Sequence, residues 1–138
     1  MSDIRSVEKD LEWGIKQEQI VKPRIEEWIE HNLDKTPDYF NIFDFINDEH
    51  KIIIEVKSRK NKKNRYPTTM VGDNKWREAI RLKKEGWEVY FFFNFTDCLS
   101  FFYFDNQDIP KKRGGRMDRG KREIKYYRYI DINLLHDI

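Results

Sequence analysis

Two carboxylates and a lysine stand out for where they fall rather than for what they are. Glu55 and Lys57 lie two apart at the end of the β-branched run Ile52-Ile53-Ile54, and Asp44 lies 11 positions upstream of Glu55 in another apolar stretch. Side chains at i and i+2 of a strand emerge on one face, so Glu55 and Lys57 come out together. Two carboxylates placed side by side repel, and a hard divalent cation held by oxygen ligands resolves that repulsion; the Val56 carbonyl adds a further oxygen. A lysine beside such an ion can orient or deprotonate water, or stabilise charge developing on a phosphate. These are the parts of metal-assisted phosphodiester hydrolysis.

The spacing alone carries little. Acid-x-Lys occurs four times, at Glu49/Lys51, Glu55/Lys57, Asp73/Lys75 and Glu123/Lys125, against roughly three expected by chance from 25 acids and 16 lysines in 138 residues. Position distinguishes the second, because charge ending a buried strand is costly unless paired or metal-bound. The competing reading is a salt bridge at the rim of a sheet, between Lys57 and either Asp44 or Glu55.

The elements that position these residues follow from periodicity. Residues 6–33 carry apolar side chains at helical spacing, with Pro23 expected to kink or split the helix, and Thr36-Pro37-Asp38 ends it. Residues 39–46 (YFNIFDFI) and 51–57 (KIIIEVK) read as two strands joined by a turn at 47–50. If that turn centres between Glu49 and His50, paired positions sum to 99 and Asp44 faces Glu55. A slip of one residue would put Asp44 on the other face. Asp73 is expected to cap a helix carrying Trp76, Ala79, Ile80 and Leu82, and Gly86 to close it. Residues 87–95 form a strand buried on both faces, paired with 99–104. Residues 110–122 read as a basic loop, and 124–132 as a last edge strand. The expected architecture is α/β, a mixed β-sheet flanked by helices, in a single domain over 1–138.

Charge divides along the chain. Residues 1–56 hold 7 Lys+Arg and 14 Asp+Glu, while residues 57–138 hold 20 and 11, so −7 and +9 make the overall +2. One basic run comprises Lys57, Arg59, Lys60, Lys62, Lys63 and Arg65. Another extends from Lys111, Lys112 and Arg113 through Arg116 to Lys125 and Arg128. Such runs suit a polyanion such as nucleic acid. The lone cysteine, Cys98, excludes an intramolecular disulfide framework, and the three histidines show no metal-ligand spacing. Aromatic content of 15% excludes wholesale disorder. No segment has the length and apolarity of a membrane span or a signal peptide, so a soluble, intracellular protein (cytoplasmic, or nuclear in a host cell) with no membrane partner is expected.

The stretch FDFINDEHKIIIEVKSR, with its D…ExK pattern, resembles the core hairpin of the PD-(D/E)XK nuclease superfamily. The resemblance extends to restriction endonucleases, archaeal-type Holliday-junction resolvases and small phage or viral nucleases. It covers residues from about Gly14 to Phe95. It implies a restriction endonuclease-like core of order α-β-β-(β)-α-β and Mg²⁺- or Mn²⁺-dependent cleavage of nucleic acid, DNA above all, in repair or recombination. By that resemblance Asp44 and Glu55 are metal ligands and Lys57 the catalytic lysine. Glu18, four residues after Gly14 on the first helix, is the candidate fourth acid, and Lys75 matches the basic residue that opens the following helix. Lys75 with Thr68 and Thr69 would hold a phosphate. The literal Pro37-Asp38 pair lies 17 residues before Glu55, and Asp44 is the better-placed acid. The first strand of the usual three-strand meander is not evident. A homodimer is expected if both strands of a duplex are cut. Alternatives are an RNA endonuclease, a non-catalytic nucleic-acid-binding subunit of the same fold, and a plain interaction domain.

Overall fold

The computed structural model describes residues 4–37, 43–114 and 125–138, the side chains of 4–7 excepted. A long helix, α1 (Ile4–Ile29), precedes three strands, β1 (Asp34–Lys35), β2 (Phe45–Asn47) and β3 (Ile52–Ser58). Strand β4 (Thr68–Gly72) leads directly into helix α2 (Asp73–Lys84). There follow β5 (Glu88–Asn94), β6 (Leu99–Tyr103), β7 (Lys111–Gly114), β8 (Lys125–Asp131) and β9 (His136–Asp137). The main sheet has six strands in the order β1-β2-β3-β5-β6-β9, and a second sheet has three in the order β4-β8-β7. Among the described residues only β3 and β5 pair in parallel within the main sheet, with α2 on the connection between them. This mixed α/β arrangement is a restriction endonuclease-like core.

The β2–β3 register is the one expected from the turn: Phe45 faces Ile54, Ile46 faces Ile53 and Asn47 faces Ile52, each pair summing to 99. Alternation along β3 then sorts its side chains between two cores. Ile52, Ile54 and Val56 pack with Val21 and Ile25 of α1 and with Phe92. Ile53 packs on the opposite face with Trp76, Ala79 and Leu82 of α2 and with Phe91 and Phe93. The aromatic run of β5 is therefore core on both sides, as its composition predicts. Glu55 and Lys57, in phase with Ile53, emerge on the α2 face where the strand leaves that core.

Several expectations need correction. α1 runs through Pro23 without a break. Residues 39–42 of the expected first strand lie outside the described residues, and within the rest β2 takes Phe45–Asn47. The missing meander strand exists as β1, whose two residues pair with Ile46 and Phe45. Asp73 does not cap α2: Gly72 is the N-cap residue, and the Asp73 carboxylate takes Arg128, Arg77 and Lys111 instead. Gly86 does close the helix, at a φ of 91° that favours glycine. The expected loop at 110–122 contains β7, and the expected edge strand is β8, the centre of the second sheet. Its partner β4 lies in what reads as loop. Among the described residues no helix is long and apolar enough to cross a membrane, which says nothing of strands.

Candidate active site

The C-terminal end of β3 is where charge accumulates. The paired register ends at Phe45 and Ile54, and just beyond it the Asp44 amide donates to the Ile54 carbonyl at 3.0 Å, one residue off the pairing that would set Asp44 directly opposite Glu55. Asp44 Oδ2 in turn accepts from the Val56 N–H at 2.7 Å, so its side chain continues the ladder after the strand ends. In an antiparallel pair a residue's N–H and C=O point to the same edge, which puts the Val56 carbonyl on the Asp44 side.

Glu55 is 1% exposed. Burial, then hydrogen bonding to Asp44 and the charge on Asp44, push its carboxyl up to about 8, against the opposing charges of Lys75 and Lys57. Glu18 reaches the same place from α1. Its carboxyl is pushed up to about 7 by burial, then by the charge of Asp44 and a hydrogen bond with it; Lys35 and Lys75 oppose the shift. Glu18 and Glu55 thus flank Asp44 and hold their protons to higher pH than isolated glutamates do. The Lys75 ammonium, in the first turn of α2, forms an ion pair with Glu55 Oε2. That oxygen is nonetheless buried without a hydrogen bond of acceptable geometry.

A buried carboxylate oxygen met by Lys75, together with two further carboxyls and a backbone carbonyl, is a donor set of hard oxygens, which fits Mg²⁺ or Mn²⁺. Among the described residues no three or more His, Cys, Asp or Glu side chains are already closed into a metal-ligand cluster. The acids engage one another and Lys75 instead.

Lys57 is half-buried and lies between two cavities. One, of about 590 Å³, opens towards Glu18 and Trp13 of α1. The other, of about 790 Å³, opens towards Lys75, Arg77 and the second sheet. Arg59 lines both, while its guanidinium donates to the Met70 carbonyl at 2.9 Å and ties β4 to the end of the main sheet.

The structure brings Glu18, Asp44, Glu55, Val56, Lys57 and Lys75 together. Thr68 and Thr69 are elsewhere: both sit on β4 and line a smaller cavity, of about 190 Å³, with Tyr66, Phe95 and Tyr129 rather than with Lys75. Among the basic residues, Lys60 pairs with Asp10 at 3.6 Å and lies 4.9 Å from the Trp13 ring centroid. Lys63 bonds Asp137 at 2.7 Å, and Arg65 lies over the Tyr66 ring. Lys62 is exposed, as are Lys112 and Arg113 on β7. Arg116, like Asp38, lies outside the described residues. Sequence reasoning missed Lys35, Arg77 and the tyrosines of β8. The only signal for the tyrosines is the alternation of 124–132, which does not reveal the partner strands.

A family model described as "Phage putative PDDEXK endonuclease" matches residues 10–138. No curated protein and no solved structure matches the chain.

Proposed function

The chain belongs to the phage PD-(D/E)XK endonuclease family, and on that premise we propose that it is a metal-dependent endonuclease hydrolysing phosphodiester bonds of DNA. Glu18, Asp44, Glu55 and Lys57 form its catalytic centre in this reading. The observation that carries it is Glu55: a carboxyl 1% exposed beside Asp44 and raised to about 8, with Lys75 as its ion-pair contact. Such a group is costly to hold in a fold, and a divalent cation would meet its charge more fully than one lysine does.

Asp44 and Glu55, with Glu18 and the Val56 carbonyl alongside, would hold Mg²⁺ or Mn²⁺. Bound there, the ion supplies Lewis-acid polarisation of the phosphate and a lower pKa for water. The protein's own groups do the rest. Lys57, set between the two cavities, orients the attacking water and offsets the charge gathering on the phosphate. Lys75 neutralises part of the acidic cluster and gives the phosphate a cation at the start of α2, where backbone N–H groups also favour an anion. Asp44, bonded to the Val56 N–H, fixes the end of the hairpin so that Glu55 and Lys57 keep their spacing. One chain carries one such centre, so cutting both strands of a duplex or junction calls for two copies.

The test incubates wild type, Glu55→Gln and Lys57→Ala with supercoiled plasmid, circular single-stranded DNA, a four-way junction and RNA, each with Mg²⁺, Mn²⁺ or EDTA. Cleavage of DNA by wild type alone, abolished by EDTA, is the expected result. Cleavage confined to RNA would overturn the DNA assignment. Unimpaired nucleic-acid binding with no cleavage by wild type would replace the enzyme by a binding subunit of the same fold.

A further inference from the structure

The larger cavity beside Lys57 is built by an element that the α-β-β-(β)-α-β core does not require. The second sheet supplies it. Along β8, Tyr126, Arg128 and Ile130 share one face. Ile130 is fully buried in the α2-side core. Arg128 donates to Asp73 at 2.9 Å and to the Ile109 carbonyl at 2.9 Å, and its guanidinium lies 5.7 Å from the Trp76 ring centroid. Tyr126 comes next, past the end of the core, and is 54% exposed. The same face therefore grades from apolar core through an ion-paired joint to an open aromatic ring.

That ring looks into a basic groove. Lys57, Arg59, Arg77, Lys111 and Lys125 line it with Tyr126, and the Lys111 ammonium lies 5.2 Å from the tyrosine ring centroid. Among the described residues the one acid lining it, Asp73, is already engaged by Arg128, Arg77 and Lys111. An exposed aromatic among cations is the chemistry that holds an unpaired nucleotide, with the base stacked on the ring and the phosphates on the ammonium groups. A base still paired in a duplex cannot offer its face to such a ring without leaving the stack.

We infer that the groove between β8 and the start of α2 is a subsite for an unpaired nucleotide next to the scissile phosphate, with Tyr126 as its stacking platform. The enzyme then favours DNA with a single-stranded segment beside the cut over blunt duplex. This deepens the nuclease reading and rests on it.

Binding is measured in EDTA at low salt, by fluorescence anisotropy of the full chain with a labelled oligothymidylate and with a blunt duplex. Base stacking contributes about 1–3 kcal/mol per base, so Tyr126→Ala should weaken single-strand binding by ~5-fold or more. Duplex binding should stay within about twofold, and Tyr126→Phe, which keeps the ring, should bind as wild type does. Circular dichroism checks that both variants keep the wild-type fold. In Mg²⁺ or Mn²⁺, wild type should cut a flapped substrate faster than blunt duplex, and Tyr126→Ala should erase that preference. Equal weakening on both probes, no weakening on the single strand, or Phe behaving as Ala would each overturn the subsite. A wild type that cuts nothing overturns the nuclease reading instead, and the binding comparison separates the two failures.

Discussion

Glu55 and Asp73 are both buried carboxylates beside α2, 1% and 5% exposed, and they keep opposite company. Asp73 accepts from Arg128 at 2.9 Å and pairs with Arg77 and Lys111 at 3.3 Å each. Burial pushes its carboxyl up, but the hydrogen bonds and charges of Arg128 and Lys111 outweigh that and hold it below the ordinary value. Glu55 is in ion-pair contact with Lys75, with Lys57 also opposing, but burial and the neighbouring Asp44 outweigh both cations and hold it far above the ordinary value. A buried acid whose charge is met on every side is a fastener, joining the second sheet to the main core. One whose charge is met less fully is, in the proposed nuclease, where the metal ion would bind.

The sharpest break of this comparison is in activity. Glu55→Gln keeps the shape of the side chain but removes the charge, and should lower cleavage by ~10³-fold or more while the protein stays folded. Asp73→Asn should leave the catalytic groups in place and act on stability instead. It strips the charge from a site holding three cations, at a cost of about 2 kcal/mol, less than a fully buried pair because Arg77 and Lys111 can rehydrate. Chemical denaturation of the two variants, alongside a plasmid-nicking assay, checks both at once. Loss of activity in Asp73→Asn without loss of stability would show that the joint belongs to the site.

The two acids also predict opposite pH dependences. A carboxyl raised in the fold binds its proton more tightly folded than unfolded. The stability contributed by protonated Glu18 and Glu55 is therefore full below about 4.5 and is lost as pH rises through about 7 and about 8. In EDTA the melting temperature should fall over that window, at about 4 °C per kcal/mol. Mg²⁺ or Mn²⁺ should restore most of it at pH 8, because a cation takes the proton's place. Glu55→Gln should flatten the alkaline fall and gain little from metal. Asp73 is lowered, so its contribution is present above 3.8 and lost as pH falls below it. Differential scanning calorimetry across pH, with and without metal, reads both limbs.

The hairpin was legible because its information is local: a turn at 47–50 and two apolar stretches fix both register and face. The site at its end followed from that register, with Glu18 and Lys75 supplied by resemblance to the superfamily. The joint was hidden for the opposite reason. Asp73 has the composition of a helix cap, but its partner Arg128 lies 55 positions away, and a bidentate-capable guanidinium outcompetes a local amide. β4 was lost in a basic run, since Thr68-Thr69-Met70-Val71 pairs only with a strand that starts at Lys125. β1 is two residues long and carries no periodicity to detect.

The finest distinction between fastener and site is drawn at Arg128. Arg128→Lys preserves the positive charge opposite Asp73 but removes the guanidinium's second donation, to the Ile109 carbonyl, and its contact with the Trp76 ring. Lysine is a compact ammonium that neither forks nor stacks. A neutral acceptor left without its donor and a lost cation–π contact together cost about 1 kcal/mol. Because the charge is kept, the Asp73 carboxyl should stay low and the acid limb of the stability profile should keep its position. Equilibrium urea unfolding should thus show a small uniform loss across pH, with metal-dependent cleavage at the wild-type rate. A shift of the acid limb would mean that Arg128 acts on Asp73 through geometry rather than charge. A change in cleavage would mean that the second sheet's seating on α2 reaches Lys75, which immediately precedes Trp76 and is in ion-pair contact with Glu55.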